Sequence, residues 1–450
     1  MSTRRTLISN ATIINEQRQY IASVVICDSR IEDIFEGENS FPHEAQYSEK
    51  IDARGMFLFP GAIDVHVHFR EPGLTHKADI ASESRAAAAG GVTTFMDMPN
   101  SIPQTTTIDN LEAKYTLAAQ SAVINYSFYL GATNDNFDQI RQLEYGQACG
   151  IKIFLGASTG NMLVNKNDIL SKIFAESQSL IAVHSEDETI ITANKAKYKA
   201  LFGDNIPIEY HPLIRSAEAC YVSTAKTVEM AHKYGTRLHV AHISTARELA
   251  LFESDKADFD KKITAEACVH HLWFCGADYK SLGTKIKCNP AIKTAADRQA
   301  LRQAINSGKI DLIATDHAPH LLSEKQGDCL TAASGCPIIQ YSLTAMLELA
   351  KQNVFTYATV AEKMCHAPAL LYRVKNRGFI RQGYYADLVL VNPNCQWEVN
   401  AENILSKCAW SPFESTTFSH KIQTTWVNGQ KVYDNGKIDD AGRGQRIEFI

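Results

Sequence analysis

The sequence predicts an α/β chain: a (β/α)8 TIM barrel with a small β-sandwich-like domain built from both chain ends. Three observations predict it. Short apolar runs alternate with longer helical patterns through the middle of the chain. Both ends alternate and turn like hairpin strands. The length, 450 residues, suits one barrel and an appendage.

The apolar runs fall at residues 59–69, 92–98, 125–130, 150–155, 180–184, 237–243, 262–270 and 311–315, which makes eight. Between them, residues 77–89, 110–122, 135–148, 166–177, 217–234, 245–253 and 295–306 carry the Ala, Leu, Glu and Lys content of helices. A doubly wound open sheet is the rival arrangement for such an alternation. At the N-terminal end LISNATIINE and ASVVICDSRIEDIF read as hairpin strands. At the C-terminal end YYADLVLVNP and TTWVNGQKVYDNGK do the same, with Asn428-Gly429 and Asn435-Gly436 as turn signals. The expected division is a composite β domain of residues 1–55 and 376–450 around a barrel of residues 56–375. The chain would cross between them near 51–55 and 375–379.

Apolar residues make up 45% and charged residues 21%, which excludes disordered and collagen-like chains. The net charge is −5 and no Lys/Arg stripe forms, so a nucleic-acid partner is not expected. No apolar stretch approaches the roughly 18–20 residues of a membrane span, and no apolar signal core follows Met1–Arg5. Eleven cysteines without a C-x-x-C pair read as free buried thiols, and the expected location is cytoplasmic.

The chemistry sits at the ends of the apolar runs. His66 and His68 in DVHVHF share one face of a strand, because side chains at i and i+2 point the same way. Two imidazoles on one face at a barrel rim make half of a metal site, although H-x-H alone also suits two ordinary polar residues. His184 ends LIAVH, His242 ends LHVAH and Asp316 ends DLIATD. Lys152 stands inside GIKIFLG, a run otherwise too apolar for a charge. A carbamate on its amine would make it an anionic ligand able to bridge two metals. A salt bridge to Asp316 or a snorkelling side chain would also explain it.

In order and spacing, GAIDVHVHFREPG, AAAAGGVTTFMDMPN, GIKIFLG, IAVHSE, LHVAHIST and IATDHAPH resemble the cyclic-amidohydrolase branch of the amidohydrolase superfamily. The resemblance spans almost the whole chain and is strongest to the dihydroorotases. It implies two zinc ions bridged by a carboxylated Lys152. His66, His68, Lys152 and Asp316 would hold one metal; His184 and His242, with Lys152 shared, would hold the other. Some dihydroorotases of this long type place an Asp where others place the carboxylated Lys, and the GIKIFLG context matches the Lys-containing ones. Asp316 would also be the catalytic proton shuttle.

The resemblance implies reversible cyclisation of N-carbamoyl-L-aspartate to L-dihydroorotate in de novo pyrimidine biosynthesis. Dihydropyrimidinases, hydantoinases and allantoinases share the metal site but open uncharged rings, and a metal-free scaffold is the reading outside enzymology. Against these, Arg70 lies on the face of His66 and His68 by strand period and offers a fork for a carboxylate. A salt bridge with Glu71 is the alternative for Arg70, and a turn role is the alternative for Asn100. Asn100, His320, Asn289 and Gly335 match the substrate contacts of that group. A small-molecule substrate is the expected partner, and a homodimer is the family expectation.

Overall fold

The computed structural model describes residues 4–43, 45–156, 162–254 and 260–450. Eight parallel strands form the barrel in sequence order: Ala62–Val67, Val92–Asp97, Asn125–Gly131, Gly150–Phe154, Ile181–His184, Leu238–Val240, Ile263–Cys268 and Leu312–Ala314. They are buried almost throughout, as strands covered on both faces must be. The first and eighth strands meet through a parallel bridge between Val67 and His317, and the His68 amide donates to the His317 carbonyl at 2.7 Å. Beneath that seam the Thr315 hydroxyl donates to Asp64 at 2.6 Å.

Each of the eight apolar runs supplies one barrel strand. The first run, 59–69, divides: Phe57–Pro60 joins the other sheet and Ala62–Val67 enters the barrel. Gly61 stands at the break, where a Cβ would lie 2.1 Å from the Thr93 hydroxyl. The seventh run ends at Cys268, and Val269–Trp273 turns into a short helix.

The helices follow their caps. Ala217–Tyr234 starts where the Ser216 hydroxyl accepts from the Ala219 amide at 3.3 Å and stops at left-handed Gly235. Ala295–Ser307 starts with a reciprocal Thr294–Asp297 capping box. Two expected helices are curtailed. The 135–148 pattern gives only Phe137–Gln142, with Gly146 beyond it at φ +80°. The 245–253 pattern gives a single 3-10 turn, Glu248–Leu251, because the buried Glu248 carboxylate is held by Thr224, Thr245 and the Ser244 amide. A helix over Glu188–Phe202 escapes the apolar periodicity because only Ile191 on it is buried. Its sequence signals are polar ones, Asp187 as N-cap and Gly203 as terminator.

The two chain ends build one sheet. Phe57–Pro60 lies between Arg5–Asn15, which it pairs in parallel, and Leu388–Asn392, which it pairs antiparallel. Arg18–Cys27 and Arg30–Glu36 extend one side; Lys421–Val427, Gln430–Asp434 and Lys437–Ile438 extend the other. Asn428 and Asn435 sit at φ +51° and +52°, the conformation that Asn-Gly hairpin turns require. All eleven cysteines are free thiols. No helix among the described residues is long and apolar enough to cross a membrane.

A buried polar knot fastens this sheet to the barrel. Asp387 pairs with Arg377, accepts from the Asn125 side chain at 3.1 Å and accepts from the Asn428 amide at 2.7 Å. The Arg377 guanidinium also stacks 3.7 Å from the Tyr385 ring centroid. Removing the carboxylate strands a buried cation, so Asp387→Ala is expected to destabilise the protein by about 3–5 kcal/mol. Urea denaturation should show a lowered midpoint. A loss under about 1 kcal/mol would mean that water replaces Asp387.

Candidate active site

A cavity of about 340 Å³ opens at the C-terminal ends of the barrel strands. Its wall contains all eleven residues singled out in the sequence: His66, His68, Arg70, Asn100, Lys152, His184, His242, Asn289, Asp316, His320 and Gly335. Phe154, Ala318, Ala333 and Ser334 complete it. Residues up to 269 positions apart are thus gathered around strand ends that converge on one ring.

At the floor, His66 Nε2 and His68 Nε2 lie 3.2 and 3.0 Å from Asp316 Oδ1. Across from them His184 Nδ1 and His242 Nε2 face each other at 2.9 Å. Three of these imidazoles are held through their other ring nitrogen. His66 Nδ1 meets Glu266, His68 Nδ1 meets Asn100 Oδ1 at 2.8 Å, and His184 Nε2 meets Glu186 at 3.0 Å. Glu266 also accepts from His239 Nε2 at 2.9 Å and from the His242 amide at 3.1 Å, so one buried carboxylate orients two cavity histidines. Those three rings therefore turn one nitrogen toward the cavity and anchor the other, the arrangement that metal-ligating histidines adopt.

Lys152 lies among them, fully buried, and its amine has no hydrogen-bond partner. The Asp316 salt bridge considered for it is absent, and the side chain stays fully buried rather than snorkelling to the surface. Burial pushes the ammonium down to about 8, against the pull of Glu266 and Asp316. Burial also opposes charge on His66, but Glu266 and Asp316 on either side outweigh it and raise that imidazole to about 9. Burial drives His242 well below the ordinary histidine range. Glu186 would be raised by burial, but Arg215 and His184 bring it down to about 2.

Three of the cavity residues adopt left-handed backbone: Arg70 at φ +70°, His242 at +42° and Asp316 at +49°. Such conformations cost about 1–3 kcal/mol each and persist where neighbours over-determine them. For Asp316 the neighbours are clear. Thr315 is tied to Asp64, and His317 donates to Glu83 at 2.8 Å while accepting from the Ile338 amide at 2.9 Å.

The outer end of the cavity is cationic. Arg70 does not pair with Glu71, whose carboxylate instead accepts from the Ile80 amide at 2.9 Å. Its Nε donates to the Pro319 carbonyl at 3.0 Å and its Nη2 lies 3.1 Å from His320 Nε2. It forms no ion pair within 4.0 Å among the described residues. Burial, then Arg70, Lys77 and Lys325, push His320 down to about 2, so the ring is neutral. The Asn289 side-chain oxygen is buried without a partner. Asn100 has a role that its turn-like context does not suggest, since its oxygen orients His68 and leaves its amide hydrogens for the cavity.

Sequence reasoning missed Glu266, Glu186 and Lys77. Glu266 was findable by the reasoning that found Lys152, a charge inside an apolar strand. Glu186 follows His184 by two residues. Lys77 opens the 77–89 pattern read as a helix, but the helix begins only at Ile80 and leaves Lys77 in the connection before it.

Comparison with known proteins gives the family. Residues 57–432 match the model of the amidohydrolase family. A dihydroorotase of Halobacterium salinarum is 32% identical over 93% of this chain and 97% of its own. An allantoinase of Bacillus velezensis is 31% identical over 87% of each. Among solved structures, the L-hydantoinase (dihydropyrimidinase) of Arthrobacter aurescens superposes with a TM-score of 0.92 at 25% identity, covering 99% of this chain and 100% of that one.

Gly335 closes the cavity wall at φ +138°, and a Cβ there would lie 2.6 Å from the Ala318 carbonyl oxygen. Gly335→Ala is therefore expected to cost about 1–3 kcal/mol through backbone strain and overpacking. Thermal unfolding checks this, and an unchanged Tm would show that the Ala318 segment yields freely.

Proposed function

The chain belongs to the amidohydrolase family and is a hydrolase of cyclic amides; on that premise we propose that its substrate is an anionic ring, L-dihydroorotate, interconverted with N-carbamoyl-L-aspartate. The observation that carries this reading is Arg70. A guanidinium lines the cavity with no carboxylate paired to it among the described residues, flanked by further cations. Allantoin, hydantoin and dihydrouracil present no carboxylate to neutralise it. A ring carboxylate supplies the missing partner in the two-pronged geometry that a guanidinium favours. The dihydroorotase and allantoinase relatives are about equally similar in sequence, so the choice between rings rests on this residue.

The inner donor set fits two divalent cations. His66 Nε2, His68 Nε2 and Asp316 present ligand atoms close enough to share one ion. His184 Nδ1 and His242 Nε2 would hold a second. The orphaned Lys152 amine between them is the feature that two cations would explain. With its basicity reduced by burial, part of it is neutral near pH 8 and can attack carbon dioxide. A nitrogen–carbon bond would form with loss of one proton, and the resulting carbamate would be an anionic ligand for the cations. When bound, the metals would supply a Lewis acid for the ring carbonyl and a lowered pKa for the attacking water.

The remaining steps belong to this chain's residues. Arg70, Asn100 and His320 hold the ring carboxylate at the outer end, and Asn289 and the backbone at Gly335 complete the contact. That pose directs the scissile amide toward the floor. Asp316 accepts the proton of the attacking water and returns it to the departing ring nitrogen. In the opposite direction, ring closure joins a carboxylate to a ureido nitrogen and expels water with uptake of one proton, so acid favours the closed ring.

Two experiments test this. Arg70→Met should lower kcat/KM for dihydroorotate by about tenfold to several hundredfold, the worth of one charge-assisted bond, while activity on dihydrouracil changes far less. Equal loss on both rings, or a wild type that prefers the uncharged ring, would overturn the substrate reading. Separately, Lys152→Ala should lose bound zinc and turnover together, and short-chain carboxylic acids added with zinc should restore part of both. Full zinc content in Lys152→Ala would rule out the bridging role.

A further inference from the structure

Lys77 lies outside the cavity wall, yet it touches a residue that forms it. Its ammonium is 3.1 Å from His320 Nδ1 and 2.8 Å from Glu324 Oε1. An ammonium has three donors and no acceptor, so His320 Nδ1 must present its lone pair to it. On the other side of the ring, His320 Nε2 is 3.0 Å from the Ser334 carbonyl oxygen. A carbonyl only accepts, so Nε2 must carry the proton. The two contacts are independent and they agree on the tautomer.

That tautomer leaves one contact without an acceptor. Arg70 Nη2 lies 3.1 Å from His320 Nε2, whose proton goes to the Ser334 carbonyl, so the guanidinium N–H at the cavity wall finds no lone pair there. That unmatched guanidinium N–H is complementary to an oxygen from outside the chain. The opposite tautomer would close the site. Its Nδ1–H would turn to Glu324 Oε2, now 3.6 Å away, and its bare Nε2 would accept from Arg70. The Arg70 donor would then be consumed internally.

We infer that Lys77, acting with the Ser334 carbonyl, is the positioning residue that selects the Nε2–H tautomer of His320 and thereby keeps the Arg70 Nη2 donor open for an anionic oxygen of the substrate. Glu324 holds the Lys77 ammonium in place and is also the acceptor that would stabilise the wrong tautomer once the lysine is gone. The inference rests on the anionic-ring reading for its consequence, but the tautomer itself does not depend on it.

The test uses full-length, zinc-loaded protein with 15N-labelled histidine. His320→Gln identifies the His320 signals. In the wild type the ring should show a protonated Nε2 and a bare Nδ1, and in Lys77→Met the pattern should move toward the reverse. KM for dihydroorotate should rise at least about tenfold in Lys77→Met, with kcat changed far less, since one charge-assisted contact is lost in binding. Lys77→Arg, which keeps a cationic donor, should restore KM. An unchanged tautomer in Lys77→Met, or a shifted tautomer with unchanged KM, would overturn the proposal. A wild type inactive on dihydroorotate whose His320 still shifts on Lys77→Met would refute the substrate reading and support the tautomer assignment.

Discussion

A lysine amine buried at the centre of a closed barrel with nothing to bond is the constraint around which the rest of the structure is arranged. An isolated buried ammonium is among the more expensive things a fold can contain. Lys152 lies on the fourth barrel strand, within the field of Glu266 on the seventh and Asp316 beyond the eighth. Neither carboxylate reaches it, because both are already engaged with histidines. The floor is therefore a set of paired acids and imidazoles around one unsatisfied nitrogen, an arrangement that an added anion-forming group and cations would complete.

The cavity has two chemically different ends. The floor is built from strand ends and is held by buried carboxylates such as Glu266 and Glu186. The outer end is built from connections and is held by cations. Lys325 is buried there and donates to the carbonyls of Lys287, Ala333 and Gly335 at 2.9, 2.7 and 2.9 Å, which fastens the loop that carries Gly335. This division suits a family in which one reaction is run on several rings. The groups proposed for bond breaking sit on the rigid barrel, and those proposed to distinguish substrates sit on loops.

The C-terminal segment also helps to shape the outer end. The Trp410 indole donates to the His320 carbonyl at 2.7 Å. Ser406 donates to Glu83 at 2.7 Å, the same carboxylate that receives the His317 ring and so steadies the backbone beside Asp316. Residues distant in sequence and outside the barrel thus help to fix both the strained aspartate and the cavity-lining histidine.

The barrel was legible in the sequence because strands buried on both faces must be continuous apolar runs, and eight such runs stand out whatever they pack against. His66, His68, Lys152, His184, His242 and Asp316 were legible for a related reason: a polar group at the end of an apolar run is an exception that local reading detects. Helix extents were less legible where a side chain competes with the backbone, as at Glu248, or where little of the helix is buried, as along Glu188–Phe202. What only the tertiary structure decided were the partnerships. That Arg70 meets His320 rather than Glu71, that Asn100 orients His68, and that Lys77 sets the His320 ring depend on contacts across 32 to 250 residues of chain. Sequence carries the chemical type and the local period of each residue. Which donor meets which acceptor depends on how loops close over the barrel mouth, and no local pattern encodes that.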